Sequence, residues 1–309
     1  MDWQPKNDAP FPDGACVVET AHDSNRMPDD HTVNADIAGP VTIINGGTQG
    51  LGEAVARKLA SPGPSKAGGL LLVGRSADRG TKLAAELTQD GTPSTFVQAD
   101  IAAADSPARI AEACDTAFGV VHGLVNIAAL TTRAHLWTDT PEHFDQMMAI
   151  NAKAPYFLTQ AVTRMMIRDN VHGSIVNVGS VAGTGGPPKL TSYAMSKAAL
   201  DVLTKNLAFT LLPHHIRVNQ VNPGWMDTEN EHRIQVGEDG QPDDWLDAAE
   251  ASRPWGRLIK PWEVANTIAF CLSNDSGVMT GASIDIEQAV LGAGELQIPS
   301  LDDVPHPNG

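Results

Sequence analysis

Seven short apolar runs recur along this chain, and stretches of helical period separate most of them. VTIIN at 41–45 leads into a helix from about Leu51 to Ala60. LLLV at 70–73 precedes a helix through Leu83, Ala84 and Leu87, and STFVQA at 94–99 precedes one near 107–118. GLVNIA at 123–128 is followed by a long helical stretch over roughly 142–168, and SIVNV at 174–178 by one over 191–211. IRVNQV at 216–221, a helix near 262–273 and SIDI at 283–286 close the series. A strand that is apolar on both faces must be covered on both faces, which a parallel sheet with crossover helices achieves. Right-handed crossovers then predict an α/β, doubly wound parallel sheet in a single domain.

Composition narrows the possible partners. With 21 Lys and Arg against 37 Asp and Glu, the formal charge of −16 argues against a nucleic acid, whose phosphates need clustered cations. No basic amphipathic stretch suggests an anionic membrane surface, and no apolar run approaches the ~18 residues of a membrane span. Cys16, Cys114 and Cys271 are too far apart for a metal-ligand spacing, so reduced thiols are expected, the latter two packed in helices, and no metal site. The first residues, MDWQPKNDAPFPDG, lack the basic and apolar regions of a secretory signal, which makes the cytoplasm the expected location. Residues 1–39 hold eight acids against Lys6 and Arg26, with scattered prolines and no period. They are expected to form a flexible acidic arm beside a domain at 40–292, and 293–309 is similar in character.

The first apolar run enters Asn45-Gly46-Gly47-Thr48-Gln49-Gly50-Leu51-Gly52 and then a helix. Glycines at 46, 50 and 52 suit a tight turn and close approach of backbone to a pyrophosphate, which the helix N-terminus would attract. The G-x-x-x-G-x-G spacing resembles that of the short-chain dehydrogenase/reductase family, compact single-domain branch, a Rossmann fold. Further motifs follow in order across roughly 40–292: Asp100 after the third strand, Asn126 after the fourth, and Pro223-Gly224 with Thr228 after the sixth. Asn45 and Ile127-Ala128-Ala129 depart from the family pattern. The resemblance implies a nicotinamide dinucleotide. Its contacts would come from Gly46, Thr48, Gln49, Gly50, Leu51 and Gly52, from Arg75 and Ser76, and from Asp100 and Ile101. Asn126, Ala128, Pro223, Gly224 and Thr228 would complete them, with Tyr193 and Lys197. Where an NAD enzyme carries a carboxylate after the second strand, this chain has Gly74, then Arg75. Arg75 could pair with a 2′-phosphate or be a solvated loop residue; NADP(H) is favoured and NAD(H) remains open.

Tyr193 and Lys197 stand four residues apart at the start of a predicted helix and so share a face, with Ser180 just past the fifth strand. A phenol titrates near pH 10, and lowering it by ~3 units takes about 4 kcal/mol of differential stabilisation. Lys197 is the available cation in this chain, and Ser180 can donate to a substrate oxygen. The resemblance implies that Lys197 also binds ribose. It makes Asn151, on its own a helix-surface amide, the holder of a proton-relay water.

These residues predict an oxidoreductase moving a hydride between NAD(P)(H) and the CH–OH or C=O group of a small molecule, such as a sugar, a polyol or a secondary-metabolite ketone. Residues 225–256 would form a lid over the substrate, where Trp225 could stack on a sugar ring or anchor the lid; His232 and Arg233 could reach a polar substrate or be solvated. The competing readings are a non-catalytic dinucleotide-binding regulator and an epimerase or dehydratase of the larger family branch. Family resemblance, with apolar residues along 142–168 and 191–211, predicts a homo-oligomer, a tetramer or a dimer.

Overall fold

The computed structural model describes residues 38–290. Its strands are β1 (Val41–Asn45), β2 (Gly69–Gly74), β3 (Ser94–Gln98), β4 (Gly123–Asn126), β5 (Ser174–Val178), β6 (Arg217–Pro223) and β7 (Ser283–Ile286). They make one sheet in the order β3-β2-β1-β4-β5-β6-β7, every pair parallel. Around it lie α1 (Gly50–Ala60), α2 (Ala77–Gln89), α3 (Ser106–Phe118), α4 (Pro141–Met148), α5 (Ala154–Arg168) and α6 (Thr191–Thr210). α7 (Glu229–Gly237), α8 (Trp245–Ala251) and α9 (Pro261–Leu272) follow. The predicted doubly wound sheet is the one found.

The apolar runs are continuous because each strand feeds two cores. Val41, Ile43, Leu71 and Val73 face one layer with Leu158, Val162 and Met166 of α5. Their neighbours Ile44, Leu70 and Leu72 face the other layer with Val55 and Leu59 of α1 and Val264 and Ile268 of α9. Cys114 and Cys271 are buried free thiols in α3 and α9, and burial pushes them up to about 12 and about 11. β1 lies between β2 and β4, so the chain reverses its winding direction beside it. A crevice opens beyond the strand ends at such a point.

One local feature differs from the expectation. The long helix over 142–168 is broken by a π-turn at Ala149–Lys153, where the Ala154 amide bonds to the Ala149 carbonyl. Pro155 explains the shift: it has no N–H to offer the carbonyl four residues back, so the ladder widens there. The 225–256 stretch also packs around a small core, Trp245 and Ala249 with Trp225, Leu246 and Leu258 just beyond it. The acidic segment, Cys16 and residues 293–309 lie outside the described residues, except for Ala38 and Gly39. Among the described residues no helix is long and apolar enough to cross a membrane.

Candidate active site

A cleft of about 410 Å³ opens above the carboxyl ends of the central strands. Its floor is the glycine turn, with Gly46, Thr48, Gln49, Gly50, Leu51 and Gly52 all lining it. The turn is held shut by sterics: a Cβ on Gly52 would stand 1.9 Å from the Gly46 carbonyl oxygen. The start of α1, whose first N–H groups have no partner within the helix, borders the cleft. Asn45 lines the same floor with no exposure, and among the described residues neither of its amide atoms has a partner. An orphaned amide beneath a backbone cradle is what a bound polar group would complete.

Arg75, Ser76, Asp100 and Ile101 line the next wall. Gly74 could not carry a carboxylate without displacement, since its Cβ would meet Thr48 Oγ1 at 2.8 Å. Ser76 caps α2, accepting from the Arg79 N–H at 3.4 Å. Arg79, which the sequence reading passed over, reaches Gln49 Oε1 at 2.7 Å and Glu229 Oε1 at 3.2 Å, tying the glycine turn to α7. Ala128, Pro223, Gly224 and Thr228 line the far side, and Thr228 also caps α7 through the Glu231 N–H at 3.1 Å.

Ser180, Tyr193 and Lys197 meet over this floor and all line the cleft. Ser180 lies just beyond β5, and the turn of α6 brings Tyr193 and Lys197 to one face, Lys197 Nζ standing 5.7 Å from the Tyr193 ring centre. Desolvation pushes the Tyr193 phenol up, a hydrogen bond with Ser180 pulls it down, and the Glu231 carboxylate adds to the rise. Lys197 is 3% exposed and burial lowers it to about 8. Its ammonium donates to the Val178 carbonyl at 2.8 Å, so two further N–H directions are left for a ligand.

Three residues sit differently from one of the readings that the sequence offered. Asn126 does not line the cleft: it is 2% exposed and donates to Asn177 Oδ1 at 2.9 Å and Thr159 Oγ1 at 3.3 Å. It starts a buried polar row continued by Asn177 to Thr204 at 2.9 Å, and it knits strands to helices under the site. Asn151 is no surface amide, because the π-turn aims it inward at 1% exposure. It accepts from the Leu130 N–H at 2.7 Å and donates to the Leu130 carbonyl at 3.0 Å and Ser196 Oγ at 3.0 Å, holding the segment after β4. Trp225 also stays out of the cleft; it stacks on Trp245 at 5.8 Å, carries the Arg253 guanidinium at 5.1 Å and donates to Glu231 at 2.8 Å. It anchors the lid. Of the two lid residues left open, Arg233 lines the cleft mouth with its side chain 61% exposed, and His232 bonds Asp227 at 2.9 Å.

Part of the cleft lining was missed. Leu130, Thr131, Thr132, Gln146 and Ile150 belong to it. Gln146 and Ile150 stand three and seven residues beyond His143, so helical period alone could have shown a common face. Above them Arg133 pairs with Glu231 at 2.8 Å and with Asp239, and Lys189 reaches Asp239 at 2.7 Å. That cluster ties α7 to the segments after β4 and before α6.

A family profile described as enoyl-(acyl carrier protein) reductase matches residues 46–288. A (3R)-3-hydroxyacyl-CoA dehydrogenase of Mus musculus is 30% identical, over 80% of this chain and 94% of that protein. A 3-oxoacyl-[acyl-carrier-protein] reductase of Thermotoga maritima is 33% identical, over 81% and 97%. Among solved structures, a doubly substituted Serratia marcescens short-chain dehydrogenase/reductase superposes with a TM-score of 0.71 at 30% identity, covering 82% of this chain and 98% of that one.

Proposed function

The chain belongs to the short-chain dehydrogenase/reductase family, and on that premise we propose a chemistry for its cleft in which Tyr193 is the proton carrier of the hydride transfer. The protein is an oxidoreductase moving a hydride between a nicotinamide dinucleotide and a CH–OH or C=O group. Both named relatives interconvert, by their names, a hydroxyl and a keto group. The convergence of Ser180, Tyr193 and Lys197 over the glycine cradle carries the reading.

The cradle and the orphaned Asn45 amide fit a dinucleotide, and the bound nicotinamide would supply or accept the hydride. Ser180 Oγ and the Tyr193 hydroxyl both bond the substrate oxygen. In reduction Tyr193 donates its proton to that oxygen as negative charge develops; in oxidation it takes the proton back. A desolvated phenol holds its proton, which suits the reductive direction. The Lys197 ammonium, buried beside the ring, stabilises the phenolate left behind and offers its spare N–H groups to ribose hydroxyls. Asn151 acts through Leu130, by holding the wall against which the substrate lies.

NADP(H) is the favoured form: Thr48 leaves no space for a carboxylate at Gly74, and Arg75 stands ready for a 2′-phosphate. The working domain is 40–292 with 225–256 as its lid, a division that the family match over 46–288 supports. The chain assembles as a homo-oligomer through α5 and α6, whose Phe157, Val202 and Phe209 remain 41%, 59% and 79% exposed. Two measurements test these readings. Cofactor absorbance is followed with a carbonyl and alcohol panel and either dinucleotide, and absence of turnover in every combination refutes the activity. Sedimentation at micromolar concentration should give a multiple of 32.6 kDa, and a single-chain mass refutes the assembly.

A further inference from the structure

Behind one residue of the cleft lining stands a hydrogen-bonded chain that the chemistry above does not use. Thr132 lines the cleft, and its Oγ1 lies 2.9 Å from His143 Nε2. His143 Nδ1 in turn lies 2.6 Å from Asp139 Oδ1. Asp139 also bonds Ser192, the neighbour of Tyr193, so the chain is anchored next to the reacting centre. Burial acts to raise the Asp139 carboxyl, but the bonds from His143 and Ser192 prevail and hold it below its usual range, hence ionised.

A carboxylate only accepts, so the imidazole donates from Nδ1 to Asp139. In the tautomer that carries its proton there, Nε2 accepts and the Thr132 hydroxyl donates to it. A threonine hydroxyl has one proton; once that is committed behind the wall, the oxygen has only lone pairs to offer a ligand. Gln146 lines the same wall one turn along α4 from His143, and its amide both donates and accepts. Ile127, Leu130 and Ile150 supply apolar surface between these groups.

Building on the oxidoreductase reading, we propose that Thr132 is a specificity-determining residue, held by His143 and Asp139, that accepts a hydrogen bond from a second hydroxyl or N–H of the substrate. The reacting carbonyl oxygen cannot fill this place, because it is acceptor-only and is bonded by Ser180 and Tyr193. The substrate class is therefore a small carbonyl compound bearing a donor group, a hydroxyketone or the corresponding diol, in preference to a plain ketone. His143 is a positioning residue, since it acts through Thr132.

The test uses isosteric pairs in which a methyl replaces the hydroxyl: 1-hydroxy-2-butanone against 3-pentanone, and 4-hydroxy-2-butanone against 2-pentanone. Wild-type protein should favour the hydroxylated member of at least one pair by about fivefold or more in kcat/KM, the scale of a hydrogen bond whose loss leaves a site group unpaired. Thr132→Val should bring that ratio to about one, mainly through KM, and Thr132→Ser should restore it. His143→Leu should lower it in part. Equal treatment of both members of both pairs by wild type overturns the inference and leaves the oxidoreductase reading standing. A Thr132→Val protein that loses rate on both members alike also overturns it, by showing a merely structural role. No turnover of any ketone or diol with either cofactor refutes the functional reading, and this inference falls with it.

Discussion

The two ends of the cleft are built by different means. At the dinucleotide end the shape comes from backbone: Gly52 is pressed against the Gly46 carbonyl, and Gly46 against the Ala128 backbone. At the substrate end the shape comes from side chains of segments far apart in sequence. Arg133 reaches Glu231 and Asp239 across about a hundred residues, and Thr132 meets His143. The first kind of site tolerates almost no substitution, because a Cβ has nowhere to go. The second can be rebuilt by exchanging partners, so one scaffold can carry a constant dinucleotide site beside variable substrate sites. Tyr193 stands where the two meet.

That contrast can be broken at its junction first. Tyr193→Phe removes the proton carrier and little volume, and kcat should fall by at least ~10²-fold while cofactor binding, followed by nicotinamide fluorescence, persists. More than about a tenth of wild-type kcat would end the assignment. Next in size is Gly52→Ala, which places a methyl into the Gly46 carbonyl. Overpacking of roughly 1–3 kcal/mol predicts a weakening of cofactor binding by about tenfold or more, read by calorimetry. Unchanged affinity would mean that the turn yields as easily as the lid.

Arg75→Asp should move the ratio of kcat/KM for NADP(H) over NAD(H) by about tenfold towards NAD(H). A wild-type enzyme that already prefers NAD(H) would remove the ground for it. The last effect concerns Lys197, whose folded value of about 8 lies below the 10.5 of a free lysine. Below pH 8 both states carry the proton; between the two values the unfolded chain keeps it and the folded protein does not. Raising the pH through that window should therefore favour the fold, by at most about 1.4 kcal/mol per pH unit. Buried Cys114 and Tyr193, raised by desolvation, act oppositely, Cys114 from its ordinary value of 9.0 upward and so within the same window. The difference in denaturation midpoint between wild type and Lys197→Met isolates the lysine. A difference that does not grow from pH 8 to 10 would contradict its depressed value.

Much of the glycine turn and of the Tyr193/Lys197 face was legible in the chain because its information is local. The glycine spacing, the strand before it and the helix after it lie within about twenty residues, and Tyr193 and Lys197 share one helical turn. Asn126 and Trp225 show where such reading fails. The Asn126 Nδ2 and the Trp225 indole N–H could each serve a ligand, and each is spent inside the protein, on Asn177 and Glu231. Whether a polar group is free or satisfied depends on neighbours distant in sequence.

By itself, then, the sequence determined the sheet, its winding and the cradle, because backbone sterics and hydrophobic period act over short stretches. Only the tertiary structure decided that Asn151 turns inward to Leu130, since the Pro155-driven π-turn re-aims it. Only the tertiary structure decided, too, that Thr132, His143 and Asp139 form one chain. Hydrogen bonds between side chains are settled by packing, and packing joins segments that no local pattern connects.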